Sequence, residues 1–175
     1  QQIAKAADEG RINEFEVMAV NAIGGPAAAT YGEITPKGFT SMAIKLGLNT
    51  SSHFADLGSG TGKAVIQAAT QFGVASAVGI ELSPTRHERA ASYLSQNPSL
   101  GSRVRFVQGN CAGADMWAAD GPLCATTDLW LCSLLFGPEL METLARHIAA
   151  SPTIRQVATL KAFPSGLIGF VEDER

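Results

Sequence analysis

Short apolar runs alternate with longer amphipathic segments along most of the chain. Strands are predicted at 54–57, 75–81, 104–108, 129–133 and 154–160, with a weaker sixth run at 167–171. Helical segments separate these strands, and such alternation is typical of a parallel sheet with helices on both faces. The sequence therefore predicts a doubly wound α/β fold with a mostly parallel sheet.

The predicted helices carry apolar residues at intervals of three or four positions. In the first, at 11–22, the apolar residues that give this helical spacing are Ile12, Phe15, Ala19 and Ile23. Two later helices begin at Thr35 and Ser83, because each hydroxyl is a helix cap and is followed by a proline that fits the first turn. Further helices are predicted at 62–72 and from 137 onward, and a loop at 27–35.

The composition is typical of one globular domain, with 175 residues of which 46% are hydrophobic and 17% charged. No run of eighteen apolar residues is present, so we expect no membrane span. The formal charge of −3 argues against direct nucleic-acid binding by this domain alone, since such binding draws on clustered Lys and Arg. Two local pairs, Arg86 with Arg89 and Arg103 with Arg105, are predicted to be solvated.

Cysteine and histidine usage points to a reducing compartment and to no metal site. The cysteines number three and include no C-x-x-C pair, which disfavours a disulfide framework. The three histidines show no zinc-like spacing with one another or with the cysteines. The first residues also lack the pattern of a secretory signal, so we expect an intracellular protein.

A glycine-rich loop follows the first predicted strand and opens the next helix, over 56–62. A phosphate-binding P-loop is excluded because position 57 is Leu and position 64 is Ala, where Gly and Ser or Thr are required. The dinucleotide fingerprint also fits poorly, because its third glycine position holds Lys63. What remains is an acid followed by alternating glycines, Asp56-x-Gly58-x-Gly60-x-Gly62.

This arrangement predicts a ligand at the carboxyl ends of the strands. Gly58 and Gly60 would let the backbone approach the ligand closely, and Asp56 would accept from a cationic amino group or from loop amides. Glu81 ends the second strand about 20 residues later, where an acid commonly binds ribose hydroxyls. Asn110 and Cys111 follow the third strand, beside the expected adenine. The alternative is a tight glycine turn with Glu81 in solvent and Asn110 as an ordinary turn residue.

The segment from Phe54 to about Leu160 resembles the class I, or seven-strand, S-adenosylmethionine methyltransferases, which have a Rossmann-like fold. Three further motifs resemble the disruptor-of-telomeric-silencing family, the non-SET histone-lysine methyltransferases that modify the nucleosome core. These motifs are Tyr31-Gly32-Glu33, Phe136-Gly137-Pro138-Glu139 and Lys161-Ala162-Phe163, together with the loop and helix at 56–69. A class I sheet normally ends with a seventh strand, so we expect this chain to stop before it.

The resemblance implies a histone-lysine-type methyltransferase that uses S-adenosylmethionine and releases S-adenosylhomocysteine. Residues 1–47 would form N-terminal helices and a loop that covers the cofactor, and 48–175 the catalytic core. The implied cofactor ligands are Tyr31, Glu33, Thr35, Asp56, Gly58, Ser59, Gly60, Gly62, Lys63, Glu81, Asn110 and Cys111. The implied catalytic residues are Tyr31, Ser133 and Phe136. Leu134, Phe136 and Phe163 are predicted to wall an apolar channel for the acceptor amine.

Three departures from the family pattern leave the identity of the methyl acceptor undecided. Cys132 and Ser133 stand where the family has two asparagines after its fourth strand, and Asn110 stands where it usually has Asp. The basic nucleosome-binding tail is absent from this chain. A histone or nucleosome substrate implies a nuclear protein, whereas methylation of a small molecule or another protein implies a cytoplasmic one. A non-catalytic module that binds the cofactor or a partner is the third hypothesis.

Overall fold

A five-stranded parallel sheet forms the centre of the protein. The computed structural model describes residues 10–172. The strands are β1 (His53–Leu57), β2 (Ser76–Glu81), β3 (Val104–Gln108), β4 (Asp128–Leu131) and β5 (Gln156–Thr159). They lie in the order β3-β2-β1-β4-β5, and every neighbouring pair is parallel. The strand order reverses on either side of β1, and such a switch point is where open α/β sheets bind ligands.

Within residues 10–172, five α-helices connect and cover these strands. They are α1 (Glu14–Gly24), α2 (Pro36–Lys45), α3 (Lys63–Gln71), α4 (Pro84–Ser95) and α5 (Pro138–Ala150). The predicted caps are present, since Thr35 accepts from the amide of Gly38 and Ser83 from the amide of Arg86. Each satisfies an amide that the first helical turn leaves without a partner, which stabilises a helix by about 1 kcal/mol. None of the helices within residues 10–172 has the length and apolarity to cross a membrane.

The sheet separates two hydrophobic layers, as the alternation of side chains along β1 requires. Phe54 belongs to one layer, where it meets Phe39 of α2 edge-to-face at 5.7 Å between ring centroids. Leu57 belongs to the other layer, which α5 covers with Met141 and Leu144. Burying each such side chain contributes roughly 1.5–3 kcal/mol, so the two layers hold the strand ends in fixed positions.

The first helix is present, but its apolar spacing does not mark its buried face. Phe15 is 86% exposed and Ile23 also reaches solvent, whereas Val20 and Gly24 are buried. The reason lies in Glu16, whose carboxylate accepts hydrogen bonds from Ser83 and Thr85 at the start of α4. These bonds turn the polar residue toward the molecule and the larger apolar ones outward.

The predicted sixth strand is also wrong, because residues 167–171 form turns rather than a strand. Gly166 and Gly169 have φ values of 74° and 86°, which an extended strand cannot contain. Two other predicted strands are shorter than expected. The fourth ends at Leu131, and Ser133–Leu135 forms a 3₁₀ turn in place of its last residues. The fifth covers only Gln156–Thr159.

Candidate cofactor-binding site

The glycine loop turns sharply between β1 and α3, with φ values of 82° at Gly58 and 55° at Gly60. Side chains rarely adopt such values, so the loop conformation requires glycine. A Cβ at Gly58 would lie 3.0 Å from Cζ of Phe136, and one at Gly60 would lie 2.9 Å from Cε2 of Tyr31. The loop backbone is therefore in direct contact with two aromatic rings as well as open to a ligand.

Gly62 has a different role from the first two glycines. Its φ is 84°, and a Cβ there would lie 2.4 Å from Cζ of Phe106 and 3.1 Å from Cβ of Ala90. Gly62 thus allows the start of α3 to pack closely on β3 and α4. Its predicted contact with the cofactor stays a prediction.

Glu81 is the carboxylate that fixes the loop. It ends β2, is 5% exposed, and accepts from the amide of Gly60 at 2.7 Å and from the amide of Ser83 at 2.8 Å. The alternative that Glu81 stands in solvent is therefore wrong. Each oxygen can accept more than one hydrogen bond, so the carboxylate retains capacity for a ligand hydroxyl on the cleft side.

The loop at 28–35 closes over the glycine loop through a polar network centred on Glu33. One oxygen of Glu33 accepts from the hydroxyls of Tyr31 and, at 2.8 Å, Thr61, and the other from Nζ of Lys63 at 2.7 Å. The Tyr31 hydroxyl also lies 3.1 Å from that of Thr61. Burial and the hydrogen bond to Glu33 raise the pKa of Tyr31 well above its usual value, so the hydroxyl stays neutral. Glu33 thus orders the loop.

Asp56 lies buried behind the glycine loop. Among the described residues, nothing donates to its Oδ1. Burial, together with the charges of Glu81 and Glu33, raises the pKa of Asp56 to about 8. An ammonium or sulfonium group nearby would stabilise the ionised form of this carboxyl. Three acids, Asp56, Glu81 and Glu33, surround the glycine loop. Such a group of carboxyl oxygens suits a nucleoside that carries a positive charge.

The segment after β3, which was predicted to lie beside the adenine, forms one side of the cleft. Asn110 and Cys111 both line the cleft, and Oδ1 of Asn110 accepts from the amide of Ala112 at 2.9 Å. Burial raises the pKa of Cys111 to about 12, so its thiol is a neutral wall. Sequence analysis missed the support beneath this segment. Trp117 donates to the carbonyl of Cys111 at 2.7 Å and stacks on His147 at 5.1 Å between ring centroids.

On the expected acceptor side, two predicted residues, Ser133 and Phe163, do not line the cleft. Ser133 is fully buried, with its hydroxyl 2.5 Å from that of Thr159 and accepting from the amide of Lys161 at 3.2 Å. Its catalytic role stays a prediction, and Cys132 lines the cleft instead. Phe136 and Leu134 line the cleft as expected, whereas Phe163 packs in the core layer under α5.

The cleft has a volume of about 320 Å³, within the range of small-molecule sites. Most predicted site residues line it, namely Tyr31, Glu33, Gly58, Gly60, Glu81, Asn110, Cys111 and Phe136. The others do not line it, namely Thr35, Asp56, Ser59, Gly62, Lys63 and Ser133. Thr35 caps α2, and Ser59 packs against Gly79 of β2. Within residues 10–172, no group of three or more His, Cys, Asp or Glu is arranged to hold a metal ion.

Arg86 was predicted to be solvated, and that prediction is wrong. The side chain is 5% exposed, lines the cleft and lies 4.7 Å from the centroid of the Tyr31 ring. It donates to backbone carbonyls in two N-terminal segments. Backbone carbonyl acceptors leave no pattern in the sequence, so the burial of Arg86 could not be predicted.

Comparison with known proteins confirms the family resemblance. The family described as Histone methylation protein DOT1 matches residues 20–104. A Kluyveromyces lactis protein named histone-lysine N-methyltransferase, H3 lysine-79 specific, is 41% identical over 66 residues, which are 38% of this chain and 12% of that protein. A Candida glabrata protein of the same name is 44% identical over 52 residues, 30% of this chain and 8% of its own. The chain therefore spans about an eighth or less of these relatives.

Solved structures confirm the doubly wound α/β fold. An RNA methyltransferase from Salinibacter ruber, in complex with S-adenosyl-L-homocysteine, superposes with a TM-score of 0.58 at 23% identity. The match covers 74% of this chain and 76% of that one. A putative S-adenosyl-L-methionine-dependent methyltransferase from Methanococcus maripaludis superposes with a TM-score of 0.57 at 17% identity, covering 87% and 67% of the two chains.

Proposed function

Because the chain resembles the DOT1 histone methylation family over residues 20–104, we propose that it is an S-adenosylmethionine-dependent protein-lysine methyltransferase of the histone-lysine type. One observation carries this proposal. The buried carboxylate of Glu81 accepts from the amide of Gly60 at the switch point of the sheet, beneath a Tyr-Gly-Glu loop. This arrangement supports a nucleoside site of the kind that methyltransferases use, and Glu81, Gly60 and the Tyr-Gly-Glu loop lie inside the segment that the family matches.

The residues of the cleft fit this cofactor group by group. Glu81 would bind the ribose hydroxyls, and the segment at Asn110 and Cys111 would face the adenine. Asp56 is buried outside the cleft lining, and the positive charge of the bound cofactor would stabilise the ionised form of its carboxyl. Glu33 would hold the covering loop closed through Tyr31 and Lys63. When bound, the cofactor supplies an electrophilic methyl group on a positively charged sulfur.

The chain's own task is to position the acceptor and to exclude water from it. A lysine amine must be neutral to react, and deprotonation at pH 7 costs about 4–5 kcal/mol from an unperturbed pKa near ~10.4. Phe136, Leu134 and Leu160 form an apolar wall at the mouth of the cleft. Such a wall disfavours the ammonium form by desolvation and lowers the lysine pKa.

The exposed apolar rim supports a protein as the acceptor. Leu134 is 63% exposed, and Leu135, Leu160 and Ile23 also expose a large part of their side chains while lining the same cleft. A set of large apolar residues in solvent beside a cleft is typical of a protein-docking site. A histone is the first protein to test, because the named relatives are H3 lysine-79 methyltransferases. The proposal implies a nuclear location.

Incubation with labelled S-adenosylmethionine tests the proposal. Recombinant nucleosomes, free histones, a cell lysate and a small-molecule fraction would be compared as acceptors, with the Glu81→Gln variant as the control. We expect label on a histone lysine with the natural chain and a strong loss with the variant. Label only on non-histone proteins or on small molecules would favour the alternative substrates. Cofactor binding without any transfer would favour a non-catalytic module.

A further inference from the structure

A buried arginine at the first turn of α4 joins three parts of the chain. Nε of Arg86 donates to the carbonyl of Gly10 at 2.9 Å, and its Nη2 donates to the carbonyl of Ala29 at 2.6 Å. The two acceptors lie 76 and 57 residues earlier in the sequence. One guanidinium therefore holds both the segment before α1 and the start of the covering loop at 28–35.

The same guanidinium lies against the Tyr31 ring, 4.7 Å from its centroid. A Cβ at Gly10 would lie 1.9 Å from Cδ1 of this ring, and one at Gly60 would lie 2.9 Å from its Cε2. The ring is thus confined by Arg86, by the backbone of Gly10 and by the glycine loop. Its hydroxyl is held separately by Glu33 and Thr61.

Glu16 makes a second attachment between the N-terminal region and α4. Its carboxylate accepts from the hydroxyl of Ser83, and from the amide and hydroxyl of Thr85 at 3.0 and 2.7 Å. Burial opposes the charge, but the hydrogen bonds from Ser83 and Thr85 keep the pKa of Glu16 below its usual value. An ionised carboxylate near the first turn of α4 also interacts favourably with the helix dipole. Glu16 locates α1, whereas Arg86 locates the loop that follows it.

We propose that Arg86 is a positioning residue that fixes Tyr31 against Gly60 and so holds the loop at 28–35 in place before the cofactor arrives. The identity of the cofactor in this inference rests on the proposed function. A loop that is already ordered gives up less conformational entropy on binding, which raises affinity. Arg86 acts through Tyr31 and the loop backbone, and a lysine cannot replace its forked donors.

Hydrogen exchange in the absence of any cofactor tests the attachment itself. The amides of Ala28, Ala29 and Thr30 are hydrogen-bonded, to Gly25, Asn21 and Ala27, so their exchange reports loop opening. We expect exchange over 26–35 to rise about tenfold in Arg86→Met and less in Arg86→Lys, with little change in the sheet strands. Arg146→Met, on the exposed face of α5, is the matched control and should behave as the natural chain.

Binding of S-adenosylhomocysteine to the same variants tests the consequence. We expect Arg86→Met to weaken binding about tenfold, mainly through faster dissociation, and Arg86→Lys to give an intermediate value. Unchanged exchange over 26–35, or an increase shared equally by all elements, would overturn the proposal. So would natural affinity in Arg86→Met despite an opened loop. If the natural chain binds no S-adenosylhomocysteine, the proposed function fails, and the exchange result still decides the role of Arg86.

Discussion

Asp56 and Glu81 end neighbouring strands of the sheet, but their surroundings differ. Glu81 accepts from two backbone amides, which hold the carboxylate in place. Asp56 is buried beside Glu81 and Glu33, and the structure shows no donor to its Oδ1 among the described residues. One carboxylate therefore fixes the loop, whereas a cation bound nearby would stabilise the ionised form of the other.

The raised pKa of Asp56 predicts how stability depends on pH. The carboxyl has a pKa near 3.8 when unfolded and about 8 when folded, so between these values the folded protein binds more protons. The contribution of Asp56 to the free energy of unfolding therefore falls as pH rises from about 4 to about 8. Urea unfolding at a series of pH values should show that the free energy of unfolding declines less steeply with pH in Asp56→Asn than in the natural chain. The exposed Asp120→Asn variant is the control, and an identical pH profile in all three proteins would contradict the assignment.

At the scale of elements, the loop and α3 depend on glycine for two separable reasons. Gly47, just after α2, serves as the comparison, because Gly62 and Gly47 both have positive φ, at 84° and 64°. A Cβ at Gly62 would meet Phe106, whereas a Cβ at Gly47 would meet nothing within 4 Å. Conformational strain of about 1–2 kcal/mol should apply to Ala at both positions. Overpacking adds about 1–3 kcal/mol only at Gly62. Thermal unfolding should thus show a lower Tm for Gly62→Ala than for Gly47→Ala, and equal losses would refute the packing role.

The elements that local chemistry specifies could be predicted from the sequence. Capped helix starts at Thr35 and Ser83 and the buried run at Phe54 depend on neighbouring residues, so the pattern was sufficient. The orientation of α1 could not be predicted, because Glu16 has its partners about 70 residues away. Arg86 was missed for the same reason, since its acceptors are backbone carbonyls that any residue offers.

The site was predicted where the fold itself brings strand ends together. Gly58, Glu81 and Asn110 lie at or just after the carboxyl ends of β1, β2 and β3, which meet at one edge of the parallel sheet. Their order along the chain was therefore enough to place them together. The position of Ser133 could not be predicted in this way. The chain leaves β4 at Leu131 and turns, which buries the hydroxyl against Thr159 rather than pointing it into the cleft.

At the scale of the whole molecule, the exposed rim should control the acceptor and not the cofactor. Leu134 and Ile44 are 63% and 66% exposed, but only Leu134 lines the cleft. Leu134→Ser should raise KM for the protein acceptor about tenfold, because the burial of one leucine side chain is lost. Ile44→Ser should leave KM unchanged, and both variants should bind S-adenosylhomocysteine normally. Equal KM values for the two variants would contradict a docking role for the rim.

Calorimetric titration with S-adenosylmethionine is the most direct test that this cleft is a methyl-donor site. The natural chain should bind S-adenosylmethionine and S-adenosylhomocysteine at one site, and show no binding of ATP or NAD⁺. Glu81→Gln should fold but bind at least about tenfold more weakly, since it loses charge-assisted hydrogen bonds. A folded natural chain that gives no heat with either sulfur nucleoside, or that prefers ATP or NAD⁺, would contradict the account.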